Sequence, residues 1–385
     1  MLVCQKDQFQ LSSSICYLNG AYMSPQPKRV EQVGLEAVQR KSTPYHFQIP
    51  DFFEPVSQLK SRFAQLINAD HPKRIALIPS VSYGMANISH DLQLRKDQKI
   101  VVVAEQFPSN YYCWENCVQR CGAKLEVVAL PATNTNRMEA INTAILEAID
   151  SSTALVAIAH IHWADGLPYD LEAIGEKARA VGALLVIDGT QSVGALPFDV
   201  AKIQPDALIC AGYKWLLGPY SIGVAYYGPA FDAFQPVEEN WINRHESENF
   251  RNLVNYQSAY QPLAGRFSVG EQSNFILVPM LSEALKMLLE WGVPAIQAYA
   301  KNLSAPALEQ LRVWGAMAEQ EADRCGHLFG VRLGGAFHAE KLKAALEQHQ
   351  VLVSFRGDAI RIAPNMYNTA EDFDKLLHCF EVARR

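Results

Sequence analysis

With 385 residues, 49% of them hydrophobic and 19% charged, the chain has an ordinary globular composition and enough length for two lobes. The formal net charge of −6, with no basic cluster, argues against a general nucleic-acid binder. The first ten residues lack a signal-peptide core and no apolar run is long enough to span a membrane, so no membrane association and a cytoplasmic location are expected.

Eight cysteines spread over a chain of this length do not suggest a disulfide framework. Cys113, Cys117 and Cys121 recur every four residues and would share one helical face. No CxxC pair or nearby histidine supports metal binding, so buried structural thiols are expected there.

Before residue 100 the sequence predicts helices at 30–39 and 55–68, a strand at Ile75–Ile78 and a helix towards Leu94. The segment P-S-V-S-Y-G-M-A follows the strand. Small hydroxyl residues at such a turn cap helices, and the free amides of the first helical turn can bind a phosphate. Ser80 or Ser82 is therefore expected to cap the helix, with or without a phosphate beside it.

Apolar runs then recur between helical patterns. They predict strands at 100–104, 125–129, 154–160, 184–187 and Ala207–Ala211. Asp170 is expected to cap a helix that ends at Gly182. This alternation predicts a mostly parallel, doubly wound sheet, and the short loop before the run at 222–227 is compatible with an antiparallel strand.

Polar and aromatic residues follow several of these strands. Phe107, in E-Q-F-P-S-N-Y-Y, is placed to stack on a flat ring, with core packing as the alternative. His160, His162 and Trp163 follow the 154–160 run. No further metal ligands are in register with the two histidines, so no metal is expected. One of the histidines or Trp163 is instead expected near a bound ligand.

Asp188 and Lys214 follow neighbouring strands and are expected at their carboxyl ends, where open α/β sheets place ligands. An acid and a lysine at one edge suit an aldehyde cofactor with a basic ring nitrogen. The lysine forms an imine, and the carboxylate keeps the ring nitrogen protonated. The alternative is a loop-capping aspartate and a solvated lysine.

The C-terminal third predicts a smaller α/β lobe after an aperiodic connection at 228–274, whose length is typical of a functional segment. Thr369 and Asp372 suggest a capping box for the last helix. The other expected elements are helices at 279–291, near 306–324 and at 340–348, and strands at 329–333, 351–355 and 360–363. In the last of these strands Arg361 is expected on the opposite face from Ile360 and Ile362. Its guanidinium suits a carboxylate.

The pattern D-G-T-Q-S…A-G-Y-K-W-L-x-G-P resembles the cofactor-lysine region of class V aminotransferase-fold enzymes, which use pyridoxal 5'-phosphate (PLP). These include cysteine desulfurases, kynureninases and isopenicillin N epimerase-like proteins. The resemblance, from Tyr17 to Thr369, implies an α/β protein of PLP-dependent transferase fold type I. It implies an N-terminal segment, 1–45, that joins the small domain, a large PLP-binding domain, 46–261, and a small C-terminal domain, 262–385.

The resemblance also implies roles for individual residues. Lys214 is the Schiff-base lysine, and Asp188 is the partner of the pyridinium nitrogen. Asn19, in Y-L-N-G-A, lies on the substrate side, and Arg361 binds the substrate carboxylate because R-I-A-P-N-M-Y-N-T is similar to the family's R-x-S-x-x-x-Y-N-T. The other implied cofactor contacts are the phosphate loop at Val81 and Ser82, Phe107 over the ring, Gln191 at the ring hydroxyl and Tyr213 at the phosphate.

The segment R-F-S-V-G-E-Q-S-N resembles a family element whose threonine reaches the phosphate in the neighbouring subunit. A homodimer with active sites at the interface is therefore expected. Glu271 replaces that threonine here, so Gln272 or Ser273 is the remaining candidate for the contact with the neighbouring subunit's phosphate.

The resemblance implies an enzyme acting at Cα of an amino acid, first of all an aminotransferase for an amino or 2-oxo acid. The alternative is a Cβ lyase of the kynureninase or cysteine-lyase type, although Gln191 stands where kynureninases commonly have histidine. Cysteine desulfurase activity is disfavoured because no cysteine lies between Val351 and Arg361. A binding protein that lost catalysis is the non-enzyme alternative, and the chain lacks the G-x-G-x-x-G turn of nicotinamide binding.

Overall fold

The computed structural model describes residues 2–132 and 136–385. Within them the helices are α1 (Lys28–Lys41), α2 (Glu54–Leu66), α3 (Val81–Ser89), α4 (Tyr112–Cys121), α5 (Arg137–Ala148), α6 (Leu171–Val181), α7 (Val200–Ile203), α8 (Leu277–Trp291), α9 (Val293–Val313), α10 (Ala339–Gln348) and α11 (Ala370–Val382). The strands are β1 (Cys16–Tyr17), β2 (Ile75–Ile78), β3 (Lys99–Val103), β4 (Lys124–Val128), β5 (Thr153–Ala159), β6 (Leu184–Asp188), β7 (Ala207–Ala211), β8 (Gly223–Tyr227), β9 (Phe329–Val331), β10 (Val351–Leu352), β11 (Ser354–Arg356) and β12 (Ala359–Ile362).

The large sheet has the strand order β2-β8-β7-β6-β5-β3-β4. Its neighbouring strands run parallel, except that β8 is antiparallel to both β2 and β7. The mostly parallel α/β sheet predicted from the sequence is confirmed, as is the antiparallel strand after the Lys214 turn.

Helices cover both faces of this sheet because its strands are apolar on both sides. Along β3, Val101 and Val103 enter the cluster on one face, while Ile100 and Val102 enter the cluster on the other. Helices α2, α6 and α8 contribute to the first cluster, and α3 and α4 to the second. The carboxyl ends of the parallel strands stay free to form a site.

A second, antiparallel sheet has the order β11-β12-β9 and packs with α10 and α11 around a separate apolar cluster. Strand β1 pairs in parallel with β10, which places the N-terminal segment beside this smaller unit. Helix α8 packs against α1 and α2, and its side chains lie in the core of the large sheet. The division at residues 45 and 261 remains a prediction.

The prediction of a long helix near 306–324 is wrong. Helix α9 begins at Val293, contains Pro306 in its interior and ends at Val313. Its buried face continues from Ile296 through Ala300 to Ala307 and Leu311, so burial on both sides of the proline offsets the hydrogen bond that proline removes. The strand expected at 351–355 is also interrupted, forming β10 and β11.

Several helix ends follow the sequence signals. The Asp170 side chain accepts a hydrogen bond from the amide of Ala173, and Gly182 ends α6 with a left-handed φ of 76°. Thr369 and Asp372 form the expected capping box at α11. Nowhere in 2–132 or 136–385 is there a helix with the length and apolar character needed to cross a membrane.

Candidate active site

A cavity of about 350 Å³ lies at the carboxyl edge of the large sheet. It is bounded by the segments that follow β2, β3, β5, β6 and β7, as expected for ligand sites in open α/β sheets. The residues that line it include seven implied by the family resemblance: Val81, Ser82, Phe107, Asp188, Gln191, Tyr213 and Lys214.

Lys214 follows the end of β7 and is buried, with 6% of its surface exposed. Its Nζ lies 5.4 Å from the ring centre of Phe107 and 5.6 Å from that of Tyr213. Burial lowers the pKa of Lys214 to about 8; Asp188 opposes this shift, and the charges of Arg361 and Arg356 add to it. Near neutral pH the amine is therefore much closer to its nucleophilic, uncharged form than an exposed lysine is.

This pKa predicts a pH dependence for the cofactor-free protein. If Lys214 forms the imine that the family resemblance implies, its rate of reaction with PLP should rise with pH around a midpoint near 8, instead of lysine's ordinary 10.5. Since folding lowers this pKa, the unfolded chain binds more protons between pH 8 and 10.5, and the Lys214 contribution to stability improves as pH rises through that window. Stopped-flow absorbance measures capture, corrected with Lys214→Ala for the titration of PLP itself. A reaction midpoint above pH 10 would show that the Lys214 amine is exposed and that its pKa is not lowered.

Asp188, the last residue of β6, lies at the floor of the cavity with 7% of its surface exposed. Its Oδ1 accepts a hydrogen bond from the amide of Thr190 at 2.9 Å. Burial raises the pKa of Asp188, while the Thr190 hydrogen bonds and the charge of Lys214 lower it. A carboxylate in this position would be stabilised by a cationic N–H placed above it.

Thr190 connects the two catalytic candidates. Its Oγ1 accepts a hydrogen bond from the amide of Ala211 at 3.1 Å, so the turn after β6 is fastened to the end of β7. This hydrogen bond joins the turn that follows Asp188 to the strand end that precedes Lys214. The sequence analysis did not assign Thr190 a role, although it belongs to the D-G-T-Q-S motif.

The Gln191 side chain is held on two sides. Its Nε2 donates to the carbonyl of Ala21 at 3.0 Å, and its Oε1 accepts from Nε1 of Trp215 at 3.0 Å. These partners fix the orientation of the amide and leave the second Nε2 hydrogen for another acceptor. The contact between Gln191 and the ring hydroxyl of the cofactor remains a prediction, and this orientation of the amide is compatible with it.

The N-terminus of α3 forms another wall of the cavity. Ser80 caps the helix, since its Oγ accepts from the amide of Tyr83 at 3.2 Å, and it lies 2.9 Å from Oγ of Ser82. The amides of Val81 and Ser82 lie in the first turn and have no acceptor within the helix. The capping role is confirmed, and the adjacent donors suit a phosphate.

Aromatic residues close the side of the cavity that faces the small sheet. Phe107 is 38% exposed and stands edge-on to Trp163, with ring centres 5.6 Å apart. Nε1 of Trp163 donates to the carbonyl of Glu105 at 2.7 Å, and Glu105 has a left-handed φ of 55°. A bulky residue in this conformation is uncommon and is typical of functional sites. Phe107 lines the cavity with part of its ring exposed.

The histidines of H-I-H-W-A-D-G have separate surroundings. His162 lines the cavity, and its Nδ1 lies 2.8 Å from Oδ1 of Asp165. The partly buried ring of His160 packs edge-on against Phe198, and desolvation lowers its pKa to about 3. Among the described residues the two belong to no group of three or more potential metal ligands.

Arg361 and Asn19 do not line the cavity but lie behind its Trp163 wall. Arg361 is 1% exposed; its Nη1 donates to the carbonyl of Trp163 at 2.9 Å, and burial lowers its pKa to about 10. Asn19 accepts a hydrogen bond from the hydroxyl of Ser354 at 2.8 Å, and Ser354 pairs with Arg361 across the small sheet.

The segment expected to reach a neighbouring subunit lies outside the cavity of its own chain. The amide of Gly270 donates to Oε1 of Glu238 at 2.9 Å, and the other oxygen of Glu238 accepts from the hydroxyl of Tyr83. None of Glu271, Gln272 and Ser273 lines the cavity in the described part of the chain.

Other lining residues were not singled out from the sequence. They lie in the segments that connect strands to the elements that follow them and include Gln106, Ser109, Tyr169, Tyr220 and Ser221. Tyr220 packs on Tyr213 with ring centres 4.5 Å apart. Its place in the turn after Lys214 is the only sequence signal that could have identified it.

The donor set fits a phosphorylated pyridine aldehyde. Lys214 supplies an amine with a lowered pKa, Asp188 an anionic partner for a ring nitrogen, and the first turn of α3 supplies phosphate donors. Phe107 supplies a flat surface for the ring.

Residues 17–376 match the family model described as aminotransferase class-V. The chain is 27% identical to the uncharacterized aminotransferase YcbU of Bacillus subtilis (strain 168), over 81% of this chain and 80% of the relative. It is 24% identical to isopenicillin N epimerase of Streptomyces clavuligerus, over 95% and 94%. Cysteine desulfurases are also among its curated relatives.

The structure of apo cysteine desulfurase from Thermococcus onnurineus NA1 superposes with a TM-score of 0.81 at 20% identity, covering 99% of this chain and 98% of that one. At 20% identity this likeness shows the fold alone, and it covers 99% of the chain.

Proposed function

Because the chain belongs to the aminotransferase class-V family, whose enzymes use PLP, we propose that it acts at Cα of an amino acid as an aminotransferase. The family, PLP-dependent fold type I and the cofactor predicted from the sequence are confirmed. The reaction and the roles of individual residues are the proposal.

The arrangement of Lys214 and Asp188 carries the proposal. When bound, PLP supplies an aldehyde and a ring that withdraws electrons from Cα of an attached amino acid. Asp188 would hold a proton on the ring nitrogen, because a buried carboxylate favours a cationic partner. The ε-amine of Lys214, once displaced by the substrate amine, would take the proton from Cα and return it elsewhere.

Transamination is favoured over the alternatives. The relative YcbU is described as an aminotransferase, whereas a Cβ lyase is supported by the F-P-S-N element that brings Phe107 to the cavity. No cysteine is among the described lining residues, which disfavours desulfurase activity despite the desulfurase relatives. Cys325 is buried, and burial raises the pKa of its thiol to about 12.

Product analysis distinguishes these reactions. PLP-loaded protein is incubated with single amino acids, with and without a 2-oxo acid acceptor, while the visible spectrum is recorded. We expect a spectral change with the substrate and formation of a new amino acid only when an acceptor is present. Release of a side-chain fragment without acceptor would instead identify a Cβ lyase. No spectral change with any amino acid would contradict the enzyme proposal.

We also propose a homodimer with active sites at the interface. The family pattern around Gly270 supports it, as does the exposed apolar group formed by Leu253, Val254 and Tyr256, of which Tyr256 is 96% exposed. Sedimentation of the PLP-loaded protein tests the assembly, and a stable, fully active monomer would contradict it.

Arg361 is proposed to bind the α-carboxylate. We expect Arg361→Lys to lower kcat/KM for amino acids about 100-fold while PLP content and melting temperature stay near the parent's, since an ammonium does not reproduce the guanidinium fork. Steady-state kinetics measures the effect, with an amine that lacks the carboxylate as the control substrate. If Arg361→Lys turned over amino acids normally, Arg361 would not be the residue that binds the α-carboxylate.

A further inference from the structure

A second cavity of about 370 Å³ adjoins the first. His162 and Trp163 line both cavities and therefore lie at the boundary between them. The second cavity is also lined by charged side chains from several segments: Glu105, Arg137, Asp165, Arg332, Arg356 and Asp358.

Arg356 and Arg361 lie on the same face of the small sheet. Ser354 pairs with Arg361 in the antiparallel register, and alternate residues of a strand share a face, so Arg356 joins Ser354 and Arg361 there. The two guanidinium carbons lie 5.6 and 5.9 Å from the ring centre of Trp163. Two cations therefore lie near one indole; Arg356 lines the second cavity, whereas Arg361 is buried and lines neither.

The other arginines of the second cavity already have anionic partners. Arg137 and Arg332 each contact Oδ2 of Asp165 at 2.8 Å. Arg137 also pairs with Glu319 at 2.9 Å, and Arg332 with Asp358 at 3.0 Å. Of the acidic side chains that line this cavity, Asp165 and Asp358 pair with these two arginines, and Glu105 forms no ion pair in the described part of the chain.

Arg356 differs from these two arginines. Its hydrogen bond within the described residues runs from Nη1 to the carbonyl of Phe355 at 2.8 Å, and it forms no ion pair there. Arg361 likewise has no carboxylate partner among the described side chains. Two neighbouring cations that lack counter-charges repel each other, and two anionic groups would relieve that repulsion.

We propose that the second cavity receives a side-chain carboxylate of the substrate, bound by Arg356, and that the substrate is a dicarboxylic amino acid. This inference rests on the proposed function, in which Arg361 binds the α-carboxylate. A dicarboxylic amino acid places one anion at each guanidinium, whereas a neutral one leaves the charge of Arg356 without a partner.

Binding of isosteric amino acids tests the inference. Glutamate and aspartate are compared with glutamine and asparagine on PLP-loaded protein, with Kd taken from the absorbance change and PLP content and melting temperature recorded. The parent should bind the better of the two acids at least about tenfold more tightly than its amide. Arg356→Gln should raise the Kd of that acid about 10- to 100-fold and change that of the amide less than about twofold.

Phe355→Leu is the matched control, because Phe355 precedes Arg356 on β11, is exposed and lines neither cavity. It should keep the parent's preference for the acid. Equal binding of acid and amide by the parent, or equal losses in Arg356→Gln and Phe355→Leu, would overturn the inference and leave the proposed function standing. If none of these four amino acids changed the spectrum, the inference would fail, and the proposed function would fail with it only if no other amino acid changed the spectrum either.

Discussion

Replacement of Lys214 by alanine is expected to reduce amino-acid turnover at least about 1000-fold, because the variant lacks the group that moves the Cα proton. In the described part of the cavity wall, Lys214 is the only lysine. PLP held by the other contacts should remain in part, so that loss of activity exceeds loss of cofactor. Steady-state kinetics and the PLP content of the purified variant measure the two effects.

Lys60 offers a matched control for this result. Burial lowers its pKa to about 8, as for Lys214, but it lines a different cavity and its Nζ lies 3.4 Å from Oγ of Ser268. Lys60→Met should keep most of the turnover. A Lys214→Ala protein with more than a tenth of the parent's kcat would remove Lys214 from the mechanism.

Removal of the Asp188 charge is expected to have the second largest effect. Asp188→Ala should lower kcat by about 100- to 1000-fold, or about 3–4 kcal/mol in the barrier, because a preorganised charge partner for the ring nitrogen is lost. Asp188→Asn keeps the size of the side chain and an oxygen for the Thr190 amide, and it removes only the charge. Both variants should therefore be slow while they still bind PLP.

The two variants separate charge from packing. If Asp188→Asn turned over amino acids like the parent while Asp188→Ala did not, the carboxyl group would be needed for its hydrogen bond to Thr190 and not for its charge. If both matched the parent, Asp188 would have no part in catalysis.

The strands and the residues at their ends could be read from the sequence because the signals are local. Asp188 and Lys214 each lie within three residues of a short apolar run, and such runs fix both the strand and its end. The parallel alternation then brings both side chains to one edge of the sheet. Phe107, Val81 and Ser82 were assigned with the help of the family resemblance, and all three line the cavity.

The substrate side depends on packing between distant segments, which local patterns do not encode. Arg361 and Trp163 are 198 residues apart, and their hydrogen bond exists because the small sheet packs beside the large one. The second cavity arises in the same way. The prediction of a helix near 306–324 failed for a related reason. Pro306 indicates a helix start, but burial of the face on which Ile296 and Leu311 lie outweighs that signal, and α9 runs through the proline.

The central claim is that Lys214 carries the cofactor, and reduction of the PLP-loaded protein with borohydride followed by peptide mapping tests it most directly. Reduction makes the bond between the cofactor and its lysine permanent, so the modified peptide identifies that lysine. We expect a single labelled peptide spanning the A-G-Y-K-W segment, modified at Lys214. A cofactor found on any other lysine, or a protein that carries no reducible cofactor after loading, would contradict it.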